Sequence, residues 1–118
     1  VDLSTGDRTT ISDNNSTGTD FSDPQGIVLN SAETIIYAID FSLNVLFEID
    51  VATGERTIIS DASNGLGSAF TDPLGIVFGG TESTVFTVNS APLSVFEVDL
   101  STGNRNIISS SASALIGF

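Results

Sequence analysis

The sequence predicts an all-β fold made of repeated units, each with four short antiparallel strands. Two observations support this prediction: segments recur at a fixed period, and apolar residues alternate with polar ones between turn residues. The segment at 4–8 (STGDR) returns at 52–56 (ATGER) and at 101–105 (STGNR), spaced 48 and then 49 residues apart. Such a period is typical of units that cannot bury their hydrophobic face alone and stack against neighbours.

The first complete unit contains four predicted strands, A to D. Strand A is a continuous apolar run, which indicates burial on both faces. In strand C, Phe47 and Ile49 alternate with Glu48, which predicts one buried face and one solvated face. Gly54 lies in the turn before strand D, where a tight turn requires positive φ. The predicted strands are A at 26–29, B at 34–39, C at 45–49 and D at 56–60.

The second unit repeats this order, with strand A at 75–78, strand B at 83–88 and a polar turn at 89–93. Residues 1–12 match strand D and its preceding turn, so we expect a spare outer strand there. The predicted organisation is an outer strand and linker loop at 1–22, unit 1 at 23–60, an inter-unit loop at 61–71, unit 2 at 72–109, and the start of the next loop at 110–118.

Aromatic residues mark the ends of the inter-unit loops. Phe21 and Phe70 each precede Asp-Pro by one residue, and Phe118 occupies the matching position. We expect each Phe to fill the seam between adjacent units. The chain's three cations, Arg8, Arg56 and Arg105, share one repeat position, which predicts a structural ion pair with a neighbouring Asp or Glu.

Composition limits the classes of partner. The chain carries 15 carboxylates and 3 cations, a net charge of −12, which disfavours nucleic acids and anionic membranes because both would repel this surface. Cations, basic proteins and uncharged glycans remain candidate partners. No apolar run of about 18 residues is present, so we expect no membrane insertion.

The absence of Met suggests that a leader has been removed or that the sequence is an excerpt of a longer chain. Cys and Lys are also absent, and Ser and Thr make up about a quarter of the residues. These features favour a secreted or surface-displayed bacterial protein.

Several of these residues resemble the blade pattern of bacterial six-bladed β-propellers of the NHL and lactonase-like type. The matching residues are Pro24, Gly26 and Ile27, the strand end at 37–40, the segment at 47–50, and Thr53 with Gly54. The resemblance implies two complete propeller blades plus an extra D strand. A propeller needs about four to eight blades around a channel. We therefore expect assembly with copies of the chain, as a closed ring or a filament, or with further blades of a longer chain.

Acidic and amide residues cluster in the loops expected on one face of such a propeller. Their oxygen atoms suit Ca²⁺, and the candidate ligands are Asp23, Asp40, Asp72 and Asn89. Because Asp23 and Asp72 each precede Pro, structural turn formation is the alternative interpretation. The same loop face also carries Asp13, Asp20 and Asp61.

Catalysis is not predicted for this segment. The similar lactonases and streptogramin lyases place metal-binding residues or a catalytic His at the channel mouth, whereas this chain has no His and no Cys. The sequence therefore predicts a structural or interaction repeat module. Two alternatives stay open: a fragment of a calcium-dependent propeller hydrolase, and a module that binds glycans or another ligand through its loop face.

Two overlapping N-glycosylation sequons lie in the first polar loop. Asn14 and Asn15 are their acceptor residues, since Ser16 and Thr17 complete the two motifs. They are candidate modification sites if the protein is secreted.

Overall fold

Two four-stranded antiparallel sheets follow each other along the chain in the computed structural model, which describes residues 1–111. Each sheet is a meander in which sequential strands are hydrogen-bonded neighbours. The prediction of an all-β chain with repeated antiparallel strands is confirmed. Within residues 1–111, no helix has the length and apolarity needed to span a membrane. Sheet 1 consists of β1 (Pro24–Leu29), β2 (Ile35–Asp40), β3 (Val45–Asp50) and β4 (Arg56–Ser60), and sheet 2 of β5 (Pro73–Phe78), β6 (Thr84–Ser90), β7 (Leu93–Asp99) and β8 (Arg105–Ser110).

The turn before each fourth strand has the predicted conformation. Gly54 and Gly103 have φ values of 75° and 74°, and Gly6 has 78° in the matching turn near the start of the chain. The Asp50 carboxylate accepts the backbone N–H groups of Ala52 and Thr53 at 2.8 and 2.9 Å, which closes the turn. Glycine is favoured at the end of this turn because a Cβ atom would strain the backbone at positive φ.

A predicted turn and a predicted strand differ from the structure. The polar turn predicted at 89–93 contains only Ala91 and Pro92, because Asn89 and Ser90 pair with Ser94 and Leu93. Residues 1–12 do not form the expected strand: a strand requires a hydrogen-bonded partner, and no described strand pairs with them.

The first strand of each sheet is less buried than predicted. Ile27 in β1 is 65% exposed and Val77 in β5 is 57% exposed. Both strands lie at a sheet edge, and only one of their faces contacts the other sheet, through β5 against β1 and β2. The apolar run therefore does not reflect burial on both faces within the described residues.

The hydrophobic core lies mainly between the two sheets, in a layer that we call the seam cluster. Tyr37 contacts the Phe78 ring edge-on at 5.7 Å between ring centres, and Phe70 stacks on Phe96 at 5.9 Å. The predicted seam position of Phe70 is thus confirmed, whereas Phe118 lies outside the described residues. The buried members of the seam cluster are Tyr37, Ile39, Leu46, Phe70, Val85, Phe96 and Val98.

A second cluster covers the opposite face of sheet 1. It contains Phe47 and Ile49, and Phe21 contacts the Phe47 ring edge-on at 5.3 Å. Because successive side chains of a strand point to opposite faces, sheet 1 is apolar on both sides. One side is buried in the seam cluster and the other is only partly covered.

Candidate functional site: the arginine latch and the two outer sheet faces

Arg105 begins β8 and its side chain holds the preceding inter-sheet loop. Its Nε donates to the carbonyl oxygen of Ser68 at 2.7 Å, and its two terminal nitrogens donate to the carbonyls of Asn64 and Gly67 at 3.0 and 3.2 Å. The guanidinium group also lies over the Phe70 ring at 5.5 Å. Burial lowers the pKa of Arg105, while the charge of Asp61 opposes this shift. The side chain therefore ties the loop to sheet 2.

Arg56 performs the same role at the start of β4. Its Nε donates to the carbonyl of Thr19 at 2.7 Å, and further bonds reach the carbonyls of Asp13 and Ser16. The predicted ion pair is present here, with Asp20 at 3.5 Å, but Asp20 is exposed and the carbonyl groups satisfy most of the donors. A guanidinium group suits this task because it offers five donors in a fixed plane.

A serine completes each arginine site. The hydroxyl of Ser60, the last residue of β4, donates to the carbonyl of Gly103 at 2.6 Å and accepts a bond from Arg105 at 2.6 Å. Ser12 makes the equivalent bonds to Gly54 and Arg56, at 2.7 and 2.8 Å. We call each set of Ser, Gly and Arg a latch.

Each latch glycine lies close to the backbone of an earlier segment of the chain. A Cβ atom on Gly103 would overlap the carbonyl oxygen of Ile59, and one on Gly54 would overlap that of Ile11. A Cβ atom on Gly6, in contrast, would meet no atom within 4 Å. Arg8 is exposed, and its guanidinium group has no hydrogen-bond or ion-pair partner among the described residues. The copy of the motif at 4–8 therefore forms no latch within residues 1–111.

The face of sheet 2 that points away from the seam is apolar and exposed; we call it the outer face of sheet 2. Each of its residues lies 49 positions after a seam residue of sheet 1. Val88, for example, is 43% exposed, whereas its counterpart Ile39 is completely buried. A shallow cavity of about 360 Å³ lies on this face, next to Val88, Leu93 and Ser109. The outer face of sheet 2 comprises Val77, Val88, Val95 and Ile108, which match Val28, Ile39, Leu46 and Ile59.

Sheet 1 has a matching outer face that points away from the seam. A cavity of about 230 Å³ separates it from residues 9–12, which lie across it. The outer face of sheet 1 comprises Ile27, Ile36, Phe47 and Ile49, which match the seam residues Ile76, Val85, Phe96 and Val98 of sheet 2.

Asp40, a predicted calcium ligand, is completely buried at the end of β2. One carboxylate oxygen accepts the backbone N–H groups of Ser22 and Asp23 at 2.9 and 3.0 Å, and the other accepts that of Leu43 at 3.0 Å. The carboxylate therefore fixes the loop before β1 and the turn after β2.

Asn89 is the counterpart of Asp40 in sheet 2 and is also completely buried. Its Oδ1 accepts the N–H of Thr71 at 3.0 Å. Its Nδ2 and the nearby Thr87 Oγ1 have no hydrogen-bond partner among the described residues. Pro92 stands where sheet 1 has Leu43 and offers no N–H, so a second carboxylate oxygen would lack a donor there.

The remaining predicted ligands lie in separate loops. Asp23 accepts a bond from the Gln25 side chain at 2.7 Å, and Asp72, with φ of 53°, donates its N–H to the Asn44 side chain at 2.8 Å. Asp61 closes a local turn by accepting the N–H groups of Ser63 and Asn64. Among residues 1–111, no three acidic side chains come together in a group that could hold a metal ion. The calcium site stays a prediction from the sequence.

Both sequon residues lie in an exposed loop, as expected. Asn14 uses its side-chain amide to bind the backbone of Phe21 through two bonds, at 3.0 and 3.3 Å. Asn15 is exposed, and its amide contacts the Asp13 carboxylate at 3.5 Å. Asn15 is therefore the more accessible acceptor, and glycosylation remains a prediction.

Sequence reasoning missed the carbonyl groups around the arginines and the burial of Asp40. The recurrence of Arg at one position was the available signal for the latch, but carbonyl acceptors carry no signature in the sequence. The fold and the latches define an all-β repeat chain with one exposed apolar face, on sheet 2, and one partly covered apolar face, on sheet 1. No family model matches the chain, and no similar sequence was found among curated proteins.

Proposed function

We propose that this chain is a structural and interaction module of a β-propeller-type repeat protein that is secreted or displayed on the cell surface. In this proposal each sheet is one blade, and the chain assembles through blade-to-blade packing into a ring or a filament. Net acidity and the surplus of Ser and Thr support the extracellular setting. The partners are copies of the chain or further blades of the same pattern.

The observation that carries the proposal is the apolar outer face of sheet 2. Its residues are the counterparts of the seam residues that sheet 1 buries against sheet 2. Exposed apolar patches of this kind mark interaction sites in soluble proteins, because water contact with them is unfavourable. The matching outer face of sheet 1 has the composition that sheet 2 presents in the seam. A second copy can therefore form the same apolar contact that the two sheets make in the seam.

Light scattering across protein concentration tests this proposal. We expect a mass that rises above 12.2 kDa with concentration and does not change when a chelator is added. Because each copy carries a net charge of −12, added salt should strengthen the association by screening the repulsion. A Ca²⁺-dependent mass or thermal stability would instead favour the calcium-dependent alternative.

Val88→Asp is the informative variant, because it places a charge at the centre of the outer face of sheet 2. We expect this variant to remain folded at 12.2 kDa at concentrations where the parent chain assembles. Leu66→Asp is the control, since Leu66 is also apolar and, at 75% exposure, lies outside both sheet faces in the inter-sheet loop. A folded parent chain that stays at 12.2 kDa at all concentrations would disprove the proposal.

A further inference from the structure

The segments 1–12 and 98–109 of this chain are near-duplicates. Their sequences, VDLSTGDRTTIS and VDLSTGNRNIIS, are identical at nine of twelve positions, and both end in Ile-Ser. The first segment ends at Ser12, which closes a latch on Gly54 and Arg56. The second ends at Ser109, which is exposed. The chain therefore carries two near-identical copies of this segment. Within residues 1–111, the first copy closes a latch through Ser12, and the serine of the second copy is exposed.

Residues 1–12 fill their place on sheet 1 poorly. They form no strand, and Ile11 is 42% exposed, whereas its counterpart Ile59 is partly buried against the seam cluster. The cavity of about 230 Å³ beneath residues 9–12 borders Ile27, which is 65% exposed, and the half-buried Ile36. In the seam, the same position over Val85 is filled by side chains of a complete sheet.

The strand β8 is a better occupant of that place than residues 1–12. It is hydrogen-bonded to β7, so Val88, Val95 and Ile108 accompany Ser109 on one apolar face. A shift of 49 positions maps the existing latch of Ser60 with Gly103 onto Ser109 with the latch of a following sheet. Seating Ser109 on Gly54 and Arg56 of a second copy would also lay these apolar residues over its outer face.

On the basis of the proposed function, we propose that β8 of one copy displaces residues 1–12 from sheet 1 of a second copy. Ser109 then replaces Ser12 as the hydroxyl between Gly54 and Arg56. Residues 1–12 act as a removable cover of the outer face of sheet 1, and self-association competes with this cover. The occupant is a second copy of this chain.

The first test weakens the cover and leaves β8 intact. We expect Ser12→Ala to tighten self-association of the full chain about tenfold or more, because the cover loses its hydroxyl bonds to both Gly54 and Arg56. Ser4→Ala is the control, because Ser4 lies in the same segment and bonds only within its own turn. Ser109→Ala should weaken association by a similar factor, while Ser101→Ala, with an equivalent turn hydroxyl, should not.

Hydrogen exchange of the full chain provides a second readout that does not depend on the stability of a variant. As the chain associates, amide exchange should become faster at Asp13, Asn15 and Ser16, whose N–H groups bond within the loop that Ser12 anchors, and slower in β1 and β2. Association with unchanged exchange at these three residues and no effect of Ser109→Ala would overturn the displacement but leave the proposed function standing. Absence of association in the parent chain and in Ser12→Ala would overturn both.

Discussion

The hydroxyl of Ser60 donates a hydrogen bond of 2.6 Å to the carbonyl of Gly103, which connects the end of sheet 1 to the last turn of sheet 2. The same hydroxyl accepts a bond from Arg105, so both of its roles are used in a buried setting. A buried hydroxyl without partners would be costly, and this arrangement avoids that cost. The latch therefore gives the recurring Ser, Gly and Arg one structural explanation at two places in the chain, Ser60 with Gly103 and Arg105, and Ser12 with Gly54 and Arg56.

Replacement of the latch arginine should destabilise the fold. We expect Arg105→Lys to lower the free energy of unfolding by about 2 kcal/mol or more, because Lys cannot satisfy the carbonyls of Ser68 and Gly67 together. Urea denaturation measures this change. Arg8→Lys is the control at the same repeat position and should change stability by less than about 0.5 kcal/mol. Equal effects at both positions would contradict the role assigned to Arg105.

Alanine substitutions at Gly103, which lies in a latch, and at Gly6, which does not, distinguish backbone strain from steric overlap. Gly103→Ala and Gly6→Ala both place a Cβ atom at positive φ, which costs about 1 kcal/mol. Only Gly103→Ala also creates an overlap with the carbonyl of Ile59, so we expect it to cost about 1–3 kcal/mol more. Thermal or urea unfolding of the two variants measures the difference. Similar losses would show that the approach of β4 to the turn is not close in solution.

Two substitutions test the hydrogen bonds that the buried Asp40 and Asn89 accept from neighbouring loops. Asp40→Asn places an amide group against backbone N–H donors, and we expect a loss of about 1–3 kcal/mol. Asn89→Asp buries a carboxylate for which only the N–H of Thr71 is a donor, so its pKa should rise. Its folded form should then be most stable at low pH and lose stability as pH rises through that pKa.

The control for these variants is Asn104→Asp. Asn104 is exposed, and the matching positions carry Asp7 and Glu55, so a carboxylate should be tolerated within about 0.5 kcal/mol. Denaturation of Asn89→Asp at neutral and acidic pH measures the dependence. Stability that is independent of pH in Asn89→Asp would contradict the prediction.

Tyr37 reports on the seam because it is the single tyrosine of the chain. Burial, and then the charge of Glu48, which accepts its hydroxyl bond at 3.2 Å, raise the pKa of Tyr37 to about 12. Because the folded pKa exceeds the usual value of 10.0, the fold favours the neutral hydroxyl of Tyr37. This contribution to the free energy of unfolding is intact below pH 10.0 and is lost as pH rises toward about 12.

An ultraviolet titration of tyrosinate measures this shift directly. We expect a midpoint near pH 12 for the folded chain and near 10 for the chain in urea. Glu48→Gln should lower the midpoint but leave it above 10, because burial of the ring remains. A midpoint near 10 for the folded parent chain would show that the seam is open in solution.

The repeat pattern predicted most of the local structure. β4 at Arg56–Ser60 has the predicted bounds, and β3 at Val45–Asp50 extends one residue further. These elements depend on alternation and on turn residues, both of which are local in the chain. The positive φ of Gly54 and the seam position of Phe70 were also predicted, since each follows from the place of the residue within its unit.

The sequence by itself determined the strand order, the positions of the glycine turns and the fact that one unit cannot bury its own apolar face. Only the tertiary structure decided that Arg105 binds carbonyl groups, that Asp40 is buried among backbone N–H groups and that residues 1–12 form no strand. The physical reason is that turns and alternation are specified by neighbouring residues. Hydrogen-bond partners and burial depend instead on groups from other segments, such as the backbone of Ser22, 18 residues from Asp40, and that of Ser68, 37 residues from Arg105.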